Sequence, residues 1–417
     1  MIPRPKFLFM LPWSIEHAGG VNQVVINLAR ALQIQGSYEP LVLIAEWDAR
    51  IPVWGNYQGI KTLHWRIRTP VISGSLFDQV KYLAWRLRFQ RQFVQFCRAQ
   101  NVQVFNPHYP DLWAASIERC VRGKLPLQKW ILSFHGQDIH QLGSNPNLMF
   151  GKKINAFFNR VDCFVTCSHA LRESFIANFN RASKVTVVHN GLDGIRFREN
   201  ARPLSVVPMP RRKYILNVGR FQHQKGQDLL IESFSAIAQT FPEIDLVLVG
   251  ATDEMLPKLQ AQAEDAGLTD RILFIADLDN SEVASLFAGA TLFVLPSRNE
   301  SFGIVLLEAA AFKLPTIATA VGGIPEVISN AKFGILIPPD DTDALTNALL
   351  AVLNSDDCGK AMGERFNRHA AANFSWTKAI LDYLALLDRS KKNAVNVPTI
   401  SGDINTDSTD DEALNIT

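Results

Sequence analysis

A chain of 417 residues that is 47% hydrophobic and 20% charged has the length for two or three domains and the composition of an ordinary globular protein. No stretch approaches 18 uninterrupted apolar residues, which argues against a membrane-spanning helix. The net charge of +2 conceals an asymmetry: residues 1–200 hold 24 Lys+Arg against 12 Asp+Glu, and residues 201–417 hold 18 against 28.

The basic first half calls for an anionic partner. Nucleic acid is the weakest choice, because zinc-finger spacing, an aromatic RNA-binding signature and a basic heptad helix are all missing. The five cysteines, Cys97, Cys120, Cys163, Cys167 and Cys358, are odd in number and scattered. They read as reduced thiols of a cytosolic protein.

In chain order, Lys6–Leu11 reads as a first strand rather than a signal peptide, since Pro12 and a glycine loop follow it. Further short β-rich runs lie at Leu41–Ala45, Val102–Asn106, Trp130–Phe134, Cys163–Cys167 and Val185–His189. Segments of helical period such as Val21–Leu32 separate them, which predicts parallel sheets covered by helices on both faces. Residues 76–98 are a special case. Tyr82, Trp85, Phe89, Phe93 and Phe96 form an aromatic stripe; Leu76, Val80, Leu83, Leu87 and Val94 form an aliphatic one roughly opposite; and Lys81, Arg86, Arg88, Arg91 and Arg98 fill the rest. Such a helix is either buried on both sides or packed on one side with the other offered to an anionic membrane.

The pattern breaks between Glu199 and Arg212, where Pro203, Pro208 and Pro210 mark a linker, placed at residues 201–213. A second series of strands follows at Tyr214–Val218, Leu246–Val249, Ile272–Phe274, Leu292–Leu295, Thr316–Ala318 and Gly334–Ile337. The expectation is an α/β protein of two Rossmann-like, doubly wound parallel-sheet domains, 1–200 and 214–375, facing across a cleft. Trp376, Ile380, Tyr383 and Leu387 predict a final amphipathic helix over 376–390, and the polar, acidic stretch 391–417 reads as a disordered tail.

Several strand ends carry residues suited to chemistry. Gly19-Gly20 lets backbone approach a phosphate or sugar at a helix start. In Phe134-His135-Gly136-Gln137-Asp138, His135 is suited to a sugar hydroxyl, and Asp138 to orienting that histidine or capping a helix. Asn190-Gly191 closes the first domain. In the second, Gly219-Arg220 and Lys225-Gly226 put two cations at a strand's carboxyl end, where a diphosphate leaving group gathers charge. Glu300 and Glu308 stand eight positions apart, about 12 Å if the span is helical. Between them the N–H groups of Phe302, Gly303 and Ile304 open a helix toward an anion. Asp341-Thr342-Asp343 imitates a metal-binding D-x-D but opens an apolar helical run, so it reads as a cap.

Together with Gly322-Gly323-Ile324-Pro325-Glu326 and Gly334-Ile335-Leu336-Ile337, these motifs resemble the retaining glycosyltransferases of family 4, of the two-domain fold called GT-B, over about residues 6–388. The resemblance implies that Arg220 and Lys225 hold a donor diphosphate, Glu300 the donor sugar and Glu308 the ribose. It implies that Phe302, Gly303 and Ile304 donate backbone N–H groups near sugar and phosphate, that His135 lies beside the reacting carbon, and that Gly19 and Gly20 close on the diphosphate. Backbone near Leu278 would read the base. It implies no metal or other cofactor, with the nucleotide-sugar as substrate. The expected reaction is transfer from a UDP- or GDP-sugar to a glycan or polyprenyl-diphosphate-linked acceptor in exopolysaccharide or cell-surface polysaccharide synthesis, at the cytoplasmic face of the membrane. The alternatives are an epimerase or hydrolase of nucleotide-sugars on the same architecture, and a catalytically silent binding protein.

Overall fold

The computed structural model describes residues 4–388 apart from 17–18, 46–50, 70–74, 126–127, 146–147 and 206–208. The acidic segment 391–417 lies outside the described residues.

Eight strands form the first sheet: β1 (Lys6–Leu11), β2 (Glu39–Ala45), β3 (Val53–Tyr57), β4 (Ile60–Trp65), β5 (Val102–Pro107), β6 (Lys129–Phe134), β7 (Cys163–Thr166) and β8 (Val185–Val187). Their order is β3-β4-β2-β1-β5-β6-β7-β8. All pairs are parallel except β3 with β4. This antiparallel edge hairpin was not legible as strands: Val53–Tyr57 is exposed along nearly its whole length, so no buried alternation marks it. The central β1 is buried at all six positions, as a strand covered on both faces must be.

The second sheet holds β9 (Lys213–Val218), β10 (Ile244–Gly250), β11 (Ile272–Ala276), β12 (Leu292–Leu295), β13 (Thr316–Thr319) and β14 (Ile335–Ile337), in the order β11-β10-β9-β12-β13-β14. This is the Rossmann order 3-2-1-4-5-6. Strand order reverses between β1 and β5 in one sheet and between β9 and β12 in the other. Loops leaving those pairs diverge, and the crevice between them is where open α/β sheets bind ligands.

Helix α1 (Gly20–Gln35) starts directly after the glycine loop. Helix α2 (Leu76–Ala99) is opened by a capping box in which Ser75 and Asp78 exchange backbone-to-side-chain bonds of 3.2 Å. Its aromatic stripe packs inward: the rings of Phe89 and Phe93 lie 5.4 and 5.3 Å from that of Trp65 on β4. Of its aliphatic stripe, Val94 is buried while Val80, Leu83 and Leu87 are exposed, as is Phe77. The expectation of burial on both sides fails because nothing among the described residues covers the outer side.

The final helix, Trp376–Asp388, returns to the first sheet and packs against α1, burying Trp376, Ala379, Ile380 and Tyr383 in one cluster with β1 and β2. Gly191 permits the crossing, since a Cβ there would lie 2.3 Å from the backbone of Ser375 and Trp376. Residues 202–205 of the expected linker are already bound to the second domain. Arg202 N–H donates to Ser281 O (3.0 Å), and Ser205 N–H to Glu282 Oε1 (2.7 Å).

Candidate active site

In the second domain the loops after β9 and β12 are stitched together by Arg298. Its Nη1 and Nη2 donate to the two oxygens of Asp228 at 2.7 and 2.8 Å, and its Nε donates to Asp340 Oδ1 at 2.6 Å. Its backbone N–H donates to Gln224 O at 2.8 Å. A forked guanidinium on a carboxylate fixes direction as well as distance. The result is that Lys225, on the first loop, meets Glu300, on the second, with Nζ 2.7 Å from Oε2. Both are largely buried, at 22% and 14% side-chain exposure.

Glu300 is also held by its backbone, whose carbonyl accepts from Gly323 N–H at 3.0 Å. Gly322, at φ +53°, could carry no side chain, because a Cβ would come within 1.8 Å of that carbonyl oxygen. Glu300 precedes its helix instead of belonging to it. The helix is Ile304–Ala311, so the span to Glu308 is a loop plus little more than one turn, and the 12 Å helical reach does not apply. The N–H groups of Phe302, Gly303 and Ile304 have no backbone acceptor among the described residues. Glu308 accepts no hydrogen bond there either, and burial pushes its carboxyl up to about 7. Leu278 lies just past β11, between Asp277 and Asp279.

Arg220 is exposed and makes no ion pair among the described residues. Its guanidinium faces Gly19 of the first domain, where a Cβ would stand 3.7 Å from Nη2. Thus the two glycine and arginine loops, one from each reversal point, meet across the cleft.

His135 ends β6. Asp138 is buried and accepts from the backbone N–H groups of His135, Gly136 and Ile139 at 2.8–3.1 Å. Burial raises its carboxyl to about 6 despite those bonds. Asp138 therefore fixes the backbone that carries His135 and leaves its ring alone. Gly136, at φ +121°, approaches the other domain so closely that a Cβ would lie 2.0 Å from Ser301 Oγ. Asn190 is buried, and its turn is locked through Gly191 to the crossing at Ser375. Asp341 caps its helix, accepting from Ala344 N–H at 2.8 Å.

Three features were not read from the sequence. The ring of His135 bonds through Nε2 to His108 Nδ1 at 2.9 Å. The only available signal was a second polar strand end, Asn106-Pro107-His108, on the neighbouring strand. Ser168 Oγ donates to Ser301 O at 2.7 Å across the domains. Glu326 accepts from the N–H groups of His169 (2.9 Å) and Ala170 (3.0 Å) at the start of the His169–Phe179 helix, and bonds His189 Nε2 at 2.9 Å. These three side chains bring ligand-type atoms within 4.8 Å of one another. With both oxygens of Glu326 given to helix amides, the group reads as a clasp between domains.

The family profile "Glycosyltransferase Family 4" matches residues 18–194, and "Glycosyl transferases group 1" matches residues 205–369. The D-inositol 3-phosphate glycosyltransferase of Corynebacterium jeikeium is 34% identical over 383 residues, spanning 86% of this chain and 89% of that protein. The chain belongs to glycosyltransferase family 4. Its fold is GT-B, like those of sucrose-phosphate synthase from Thermosynechococcus elongatus (TM-score 0.71, 20% identity, 93% and 99% coverage) and Anabaena HepE in complex with UDP (0.69, 16%, 91% and 99%). No helix among the described residues is long and apolar enough to cross a membrane.

Proposed function

We propose that this family 4 enzyme is a retaining, metal-independent glycosyltransferase. It moves a sugar from a UDP- or GDP-sugar to a glycan or polyprenyl-diphosphate-linked acceptor, in exopolysaccharide or cell-surface polysaccharide synthesis. The observation that carries the reading is the pairing of Lys225 with Glu300 at one strand-order reversal, with Arg220 of the same reversal facing Gly19 of the other domain.

Before the donor arrives, Lys225 is neutralised by Glu300 and Arg220 is not neutralised by any described carboxylate. The donor diphosphate takes both cations, Arg220 as a fork and Lys225 as a point charge, with the Gly19-Gly20 backbone closing on it. That frees Glu300 to accept hydrogen bonds from sugar hydroxyls. Glu308 takes the ribose hydroxyls, backbone near Leu278 reads the base, and Phe302, Gly303 and Ile304 donate N–H groups between sugar and phosphate. His135 lies beside the reacting carbon on the backbone that Asp138 fixes, and Asn190 is among the substrate-binding residues. The cations stabilise the charge that grows on the leaving phosphate, so no metal is called for. A donor phosphate oxygen removes the acceptor proton, and attack comes from the face the leaving group departs.

The acceptor end is the basic first domain. The outer side of α2 presents Phe77, Val80, Leu83 and Leu87 among Lys81, Arg88 and Arg91, all exposed, which suits an anionic lipid surface on the cytoplasmic side. Thermal shift with UDP, GDP and their sugars tests the donor site, since a ligand at 100 times its Kd stabilises by about 2.7 kcal/mol. Full-rate conversion of a nucleotide-sugar without acceptor would instead favour an epimerase or hydrolase.

A further inference from the structure

A buried polar relay runs behind His135. Its ring bonds to His108 (2.9 Å), His108 Nε2 to Asn106 Oδ1 (2.8 Å), and Asn106 Nδ2 to both Ile131 O (2.8 Å) and Ser133 Oγ (2.9 Å). Ser133 Oγ bonds in turn to Tyr383 Oη of the final helix at 2.7 Å. Asn106, His108, Ser133 and Tyr383 are at most 4% exposed.

The proton positions follow from one fixed point. Ile131 O is a carbonyl and only accepts, so the amide atom facing it is Nδ2, and the atom facing His108 is the oxygen. That oxygen only accepts, so His108 carries its proton on Nε2. A neutral His108 then has a bare Nδ1, which accepts from His135 Nε2–H. A neutral His135 is left with a bare Nδ1, and no described residue bonds it. Burial keeps both rings neutral: it brings His135 down to about 4, and burial followed by the neighbouring His135 holds His108 well below the usual range.

We propose that His108 and Asn106 are positioning residues that lock His135 as the Nε2–H tautomer, so that it meets the substrate as a hydrogen-bond acceptor for a sugar hydroxyl. The role of His135 toward substrate rests on the glycosyltransferase reading above; the lock itself does not. The other tautomer would set a bare Nε2 of His135 against the bare Nδ1 of His108, and would offer the sugar hydroxyl an N–H donor in place of an acceptor. The relay ends on Tyr383, so the returning helix closes the same network.

The test is long-range proton–nitrogen NMR of the full chain labelled with 15N-histidine, with the His135 signal assigned by its loss in His135→Ala. In the wild type the pattern should be the Nε2–H tautomer. It should be lost in His108→Phe, which keeps a flat ring without an acceptor. It should persist in His108→Asn, whose amide oxygen replaces Nδ1. Sugar transfer with the UDP- and GDP-sugar panel should fall at least tenfold in His108→Phe, mainly in kcat, and be largely restored in His108→Asn. A wild-type Nδ1–H pattern overturns the lock. So does an Nε2–H pattern that persists in His108→Phe, whereas full transfer by His108→Phe once its tautomer is lost overturns the acceptor role of His135. If the wild type transfers no sugar from any donor, the proposed function fails while the wild-type NMR pattern still decides the lock.

Discussion

Lys225 Nζ stands 2.7 Å from Glu300 Oε2, although the two residues come from different loops, 75 positions apart in sequence. The pair compensates Lys225, while Arg220 makes no ion pair among the described residues; under the proposed function Arg220 is the cation that meets the diphosphate first.

Replacing Lys225 by Ala should lower turnover by about 100-fold or more, as loss of one leaving-group stabiliser does in a water-poor site. Glu300, at 14% side-chain exposure, would lose its ion-pair partner, so the melting temperature should fall while the fold survives. Steady-state kinetics and a melting curve check this, and an unchanged kcat removes the assignment.

Glu308 gives a pH signature. Its carboxyl is raised to about 7 from an ordinary value of 4.5, so the folded protein binds more protons than the unfolded chain between those values. Its contribution to stability therefore falls as pH rises from about 4.5 through 7. Glu308→Gln should flatten that slope. If ribose hydroxyls donate to the ionised carboxylate, nucleotide binding near pH 6.5 should release protons, seen by calorimetry in buffers of different ionisation heat. Equal heats in all buffers would exclude Glu308 as the ribose acceptor.

The Glu326 clasp should hold the domains together. Burial alone would raise its carboxyl, but the bond from His189 and the amides of His169 and Ala170 outweigh it and leave it below the ordinary range. Its stabilising effect is thus present at neutral pH and lost as pH falls through that depressed value. Glu326→Ala should cost about 1–2 kcal/mol after allowance for partial exposure. Small-angle scattering should show a larger radius of gyration; an unchanged radius and melting temperature would contradict the clasp.

Membrane attachment is a separate matter. Vesicles rich in anionic lipid should retain the protein at low salt, and Leu83→Glu with Leu87→Glu should release it without lowering stability, since both side chains are exposed. Equal partitioning of wild type and variant would assign α2 no part in binding.

Much of the fold was legible because parallel strands buried on both faces announce themselves as short apolar runs between helical periods. β12, Leu292–Leu295, was bounded to the residue, and β1 likewise. The hairpin β3–β4 was not: β3 is an exposed edge strand with no such run, and in β4 the buried Ile60, Leu63 and Trp65 are separated by Lys61, Thr62 and His64. At the site, Arg220, Lys225 and Glu300 could be named from strand ends. What escaped were relationships across the fold: the bond from His108 to His135, the contact of Ser168 with Ser301, and the reach of Glu326 to a helix of the other domain. Each joins groups brought together by domain packing, for which spacing along the chain holds no signal. The start of the helix after Glu300 was misjudged because Ser301 to Gly303 turn before it begins, with Gly303 in the left-handed region.

Transfer from a nucleotide-sugar with the anomeric configuration kept is the centre of the proposed function. The direct measurement is proton NMR of the transferred sugar's anomeric coupling during turnover of UDP- and GDP-sugars with a polyprenyl-diphosphate-linked acceptor, with release of nucleoside diphosphate followed in parallel. One nucleoside diphosphate per sugar transferred, with the donor's anomeric configuration retained in the first-formed product, is the expected result. An inverted anomer, or nucleoside diphosphate release that does not depend on the acceptor, would contradict it.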